Sequence, residues 1–214
     1  MQAHPIAAFS REKSLGYTAA ATFEEYSADA AATVALHRRL AEIRIGPDDQ
    51  LFFAAYPDVL HWVVIADDSP DTVAVLPVLV HLARCSPRID VRIAQADVWE
   101  GYLRVLVDDP DLLSNLADID LPLLLIFDED WRYVDQWGPH PEAIDPYLDE
   151  WLTAHPDFDA LSEDDSPCAY RALLEELTHT MRLWYNSTLN QACAKEVREL
   201  LARLQEEAGS DDGG

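Results

Sequence analysis

Lysine is almost missing from this chain: of its 15 basic residues only Lys13 and Lys195 are lysines, against 40 Asp and Glu. The formal charge is −25 and the pI is near 4.3, a surface that repels phosphate backbones and anionic lipid. Nucleic acid and membrane surfaces are therefore not expected as partners. Cysteine is scarce as well. Cys85, Cys168 and Cys193 are an odd set with no C-x-x-C pair and no histidine at ligand spacing. No disulfide framework, metal set or cofactor is read from them. Long apolar runs are missing too, since Leu121 to Phe127 and Val73 to Val80 fall far short of the about 18 residues a membrane helix needs. Met1 to Ser10 shows no basic stretch followed by an apolar one. A soluble, cytoplasmic protein is expected, in which the Asn186-Ser187-Thr188 sequon carries no glycan.

What is present is enough for a core: 49% of residues are apolar and 9% aromatic, inside the globular range. Acidic excess with almost no lysine matches the cytoplasmic proteins of salt-adapted cells, whose dense carboxylates hold water while salt screens their repulsion. The alternative is an acidic site for a partner.

A capping box, Thr22-Phe23-Glu24-Glu25, opens a helical lead-in with Phe23, Tyr26, Ala30, Val34, Leu40 and Ile43 on one face. Pro47 suits the start of a short helix. The period then changes. His61 to Ala66 and Ile89 to Ala94 read as strands, with a helix from Asp71 to Arg84 between them and another around Trp99 to Val107. Leu121 to Phe127 and Trp131 to Trp137 read as an antiparallel hairpin turning at Asp128-Glu129-Asp130, followed by a helix over about Pro141 to Thr153. Two further helices follow, the first capped by Ser166 and opened by Pro167, the second after a turn at Asn186-Ser187-Thr188. The expected organisation is an N-terminal segment (1–16), a helical lead-in (17–57), a βαβαββα core (58–155), a C-terminal helical hairpin (156–208) and a disordered tail (209–214).

This order, with a proline opening the third strand, resembles the thioredoxin fold. Val63-Val64-Ile65, Pro77, Leu121-Pro122 with Phe127-Asp128, Trp137-Gly138-Pro139 and Leu183-Trp184-Tyr185 are similar to a bacterial thioredoxin-like family with a Trp-Cys-Gly-Asp segment after its first core strand. The likeness spans about residues 17 to 205. Counting back from Pro77, it implies that Ser69 stands in the nucleophilic cysteine's place. Asp68 then replaces the Trp, Pro70 replaces the Gly, Asp71 is retained, and Thr72 occupies the position of a resolving cysteine. Such a degenerate site cannot run dithiol chemistry, because exchange needs a thiolate and a serine hydroxyl offers no accessible anion.

The same resemblance implies that Leu121-Pro122 is a cis bond at the edge of a peptide-accepting groove walled by Trp137, Gly138 and Pro139. The C-terminal helices, with Trp184 and Tyr185, could instead fill that groove. Asp67, Asp68 and Asp71 are expected as helix-capping carboxylates rather than metal ligands. Ser69 lacks the surroundings of a hydrolytic nucleophile, and His140 reads as a loop histidine that could approach the groove. No catalytic residue is assigned. The function expected is a redox-inactive protein- or peptide-binding module, with a thiol oxidoreductase working through Cys168 as the alternative.

Overall fold

The computed structural model of the chain describes residues 20–95, 120–161 and 165–211. Thr22 opens helix α1 (Phe23–Asp29) with the capping box expected. Its hydroxyl accepts the Glu25 amide at 3.2 Å, and the Glu25 carboxylate accepts the Thr22 amide at 2.8 Å. Extended backbone at Ala30 (φ −72°, ψ 140°) ends α1, and α2 (Thr33–Glu42) restarts with a new phase. The single face expected from Phe23 to Ile43 is thereby broken: Val34 is 72% exposed, and Leu36 and Arg39 are buried instead. In α3 (Pro47–Ala55) proline holds the first turn, where its missing N–H has no helical partner to lose.

Strand β1 (Leu60–Ala66), helix α4 (Pro70–Cys85) and strand β2 (Ile89–Gln95) form the expected βαβ unit, β1 and β2 pairing in parallel. Strands β3 (Leu123–Phe127) and β4 (Tyr133–Trp137) pair antiparallel, β3 also with β1, in the sheet order β2-β1-β3-β4. The helix expected around Trp99 to Val107 lies outside the described residues. Thr72 to Val80 of α4 are buried without a break, as suits a helix held between a sheet and other helices. This fixes the start of α4 rigidly at the end of β1.

The β3–β4 turn falls at Asp128-Glu129-Asp130 as expected, but β4 begins at Tyr133 rather than Trp131. Trp131 adopts φ 63°, in the left-handed region, and its amide donates to the Asp128 carbonyl at 3.0 Å. Its indole, 7% exposed, stacks on the His61 ring at 3.9 Å, and that burial offsets the backbone strain.

A 3-10 turn (Glu142–Ile144) leads into α5 (Asp145–Ala154), and the C-terminal pair follows as α6 (Pro167–Trp184) and α7 (Asn190–Asp211). Ser166, expected to cap α6, makes no side-chain capping bond, so Pro167 alone marks that start. Asn186-Ser187-Thr188, expected as a turn, lies instead in one π-helical turn (Tyr185–Leu189) with helical backbone on either side. The cause is tertiary. The Asn186 and Asn190 side-chain oxygens accept from Arg39 at 2.6 and 2.8 Å, so the asparagines serve a distant helix rather than a local turn. α7 continues to Asp211, beyond Gly209 where the tail was expected to begin.

Candidate functional site

The segment from Asp67 to Thr72 joins β1 to α4, and its polar groups close on one another. The Ser69 hydroxyl accepts the Thr72 amide at 3.2 Å and lies 3.3 Å from the Thr72 hydroxyl. One Asp67 carboxylate oxygen accepts both the Ser69 amide, at 3.0 Å, and the Thr72 hydroxyl, at 2.7 Å. Tyr26 of α1 donates its hydroxyl to the Asp67 carbonyl at 3.0 Å. The carboxylates thus divide their tasks differently from the capping role expected of all three. Ser69 is the N-cap, Asp67 braces it from outside the helix, and Asp68 is exposed.

Asp71 is the unusual member. It lies in the first turn of α4, where the helix dipole favours a carboxylate, yet its Oδ1 is buried and accepts no hydrogen bond. Burial pushes its carboxyl up to about 6; the nearby His140 imidazole pulls it back, while Asp67 and Asp120 add to the rise. His140 is thus brought close to the α4 turn, and its Nδ1 is also buried without a hydrogen bond. Among the described residues no three His, Cys, Asp or Glu side chains converge as a metal site would require.

Across from this turn, the Leu121–Pro122 and Gly138–Pro139 peptide bonds are both cis. Leu121 is half-buried and Pro122 buried, and among the described residues neither backbone group of Leu121 joins a backbone hydrogen bond. The Trp137-Gly138-Pro139 segment lies against Pro122, because Gly138 at φ 136° packs on the Pro122 carbonyl. Glu196 of α7 fixes the same segment: its carboxylate accepts Trp137 Nε1–H and the Glu142 amide, each at 3.0 Å. Burial raises the Glu196 carboxyl, and the Trp137 and Glu142 bonds oppose that rise.

Trp184 packs against Tyr147 of α5 with ring centres 5.4 Å apart, and Tyr185 is fully buried under the Arg39 guanidinium at 5.5 Å. The thiols are dispersed: Cys85 is half-buried at the end of α4, Cys168 is exposed in the first turn of α6, and Cys193 is fully buried, all three free. Burial raises the Cys85 thiol and drives Cys193 well above the ordinary range.

Of the positions the sequence singled out, Ser69 and Thr72 meet at the start of α4, and Pro122 meets Gly138; Glu196, which holds Trp137, was not among them, and His140 was given little weight. The flanking prolines of His140 were a usable signal, since they restrict the loop that carries it. Nothing local marks Glu196, which reaches the loop from 59 residues away.

Two solved structures share the fold. One is a protein of unknown function from Pseudomonas aeruginosa, 18% identical, covering 90% of this chain and 96% of its own, with a TM-score of 0.54. The other is an HIV epitope-scaffold, also 18% identical, covering 88% and 96%, with a TM-score of 0.58. No curated protein matches the sequence. The family model for thioredoxin matches residues 19–152, a span that takes in the four strands, α4 and the cis prolines. On that match, over more than half of its length, the chain belongs to the thioredoxin family.

Proposed function

We propose that this protein is a thioredoxin family member without dithiol chemistry at the β1–α4 turn, and that it acts as a protein- or peptide-binding module. The observation that carries the reading is the state of Ser69. Its hydroxyl is engaged as the N-cap of α4, in the place that the family likeness gives to a nucleophilic thiol, and Thr72 rather than a second thiol stands three residues on. Neither side chain can form a disulfide. The backbone N–H and C=O of Leu121 supply what an added strand would pair with, and Trp137, Gly138 and Pro139 stand beside them. The rival reading, thiol exchange through Cys168, draws on the exposure of that residue.

Insulin disulfide reduction tests the redox half of the proposal. Wild type is expected to show no turnover, and a thioredoxin-like rate that vanishes in Cys168→Ser would transfer the assignment to the oxidoreductase. The binding half is tested by amide NMR with a library of extended peptides. Shifts centred on Leu121 and Trp137 are expected, and their absence across the library would remove the groove from the proposal.

A further inference from the structure

A concave site lies at the end of the sheet opposite the Ser69 turn. β1 runs from Leu60 toward Ser69, so its start and the Ser69 turn are separated by the strand's length, about 20 Å. At that far end a cavity of about 410 Å³ opens between the loop after α3, the β3–β4 turn and α7. The volume falls within the range of small-ligand sites.

Its lining is divided by chemistry. Leu60, Val134 and Leu204 supply an aliphatic wall, with Leu60 buried and the other two half-buried. Asp58, Asp128, Glu129 and Asp130 supply four carboxylates against one guanidinium, Arg88. Asp128 accepts the Arg132 amide at 2.8 Å and Asp130 faces the Arg132 guanidinium at 3.7 Å. Among the described residues Asp58 and Glu129 have no ion pair. The carboxylates do not converge as a metal site would, so they suit a ligand longer than an ion.

We infer that this cavity binds an aliphatic ammonium group: an alkyl stem along Leu60, Val134 and Leu204, with its cationic end at the carboxylates. Amphipathic cations bury an apolar stem and leave the charged head at a polar rim in the same way. A free diamine and a lysine side chain present the same chemistry. The site stands apart from the Leu121 groove and does not depend on the function proposed for it.

Titration with cadaverine and with N-acetyl-lysine methylamide, followed by methyl NMR and calorimetry at ~0.15 M salt to suppress long-range attraction, tests this. Saturable one-to-one binding with shifts at the Leu60, Val134 and Leu204 methyls is expected. The double variant Asp58→Asn, Asp130→Asn should weaken it about fivefold, the sum of two modest charge contacts. Leu204→Ser and the milder Val134→Thr should weaken it too, while Asp29→Asn, in α1, should not. Tighter binding by one probe supports the site and identifies its source as free amine or protein lysine. Non-saturable binding, equal loss in Asp29→Asn, or indifference to both wall variants would mean diffuse attraction to an acidic surface and would overturn the inference.

Discussion

The Pro122 carbonyl oxygen lies 2.3 Å from where a Cβ on Gly138 would stand, so the two cis-proline segments touch with no room for a side chain between them. Gly138 also holds φ 136°, which L side chains rarely adopt. Gly138→Ala should therefore cost about 2 kcal/mol or more, because both the contact and the dihedral resist it. Gly46→Ala, whose Cβ would meet Asp49 at an ordinary 3.4 Å, is the control and should cost less, about 1 kcal/mol, from the poorer N-cap that alanine makes at the start of α3. Equal urea midpoints for the two variants would contradict the packing argument.

Asp71 gives the protein an identifiable pH dependence. Its folded-state carboxyl is raised to about 6 from an ordinary 3.8, chiefly by burial, so its contribution is fully present below the unfolded value. That contribution is lost as pH rises through 6. Between about pH 4 and pH 7 wild type should lose on the order of 2–3 kcal/mol relative to Asp71→Asn, which cannot ionise. Denaturant curves for both proteins at the two pH values read this directly. Parallel pH profiles would show that the Asp71 carboxylate is not held in a costly environment.

Arg39 ties three parts of the chain together, donating to Asn186, to Asn190 and to the Ala74 carbonyl at 3.0 Å while 1% exposed. Arg39→Met keeps much of the stem's packing but strands three acceptors. A loss of about 3 kcal/mol is expected, or a fall in Tm of about 10 °C for a chain of this size. If the π-helical turn depends on this anchor, hydrogen exchange at Tyr185 to Leu189 should accelerate more than at β1. A uniform change would refute the local dependence.

Salt adaptation is a proposal that rests on the charge of −25. Self-repulsion at low ionic strength should be relieved by counterions, so Tm should rise as salt increases from 0.05 M to 2 M. A flat response would remove the salt-adapted reading and leave the fold as it is.

Local chemistry in the sequence was sufficient for much of this protein. The change from a helical period to short β-branched runs located the strands, and Thr22 with Glu25 and the prolines at 47 and 167 located helix starts, because these effects act within one turn of chain. The lack of thiols at positions 69 and 72 was equally plain, and that neither side chain can form a disulfide follows from the residue types alone. Tertiary structure decided where local signals were weak or misleading. Val34 fitted the inward face only if Ala30 stayed helical, and Asn186 looked like a turn residue until Arg39, 147 positions away, claimed its side chain. Asp71 is an ordinary first-turn carboxylate by sequence. Its burial beside His140, with Asp67 and Asp120 near, comes from segments that meet only in the folded chain, and desolvation depends on everything that surrounds a group, not on its neighbours in sequence.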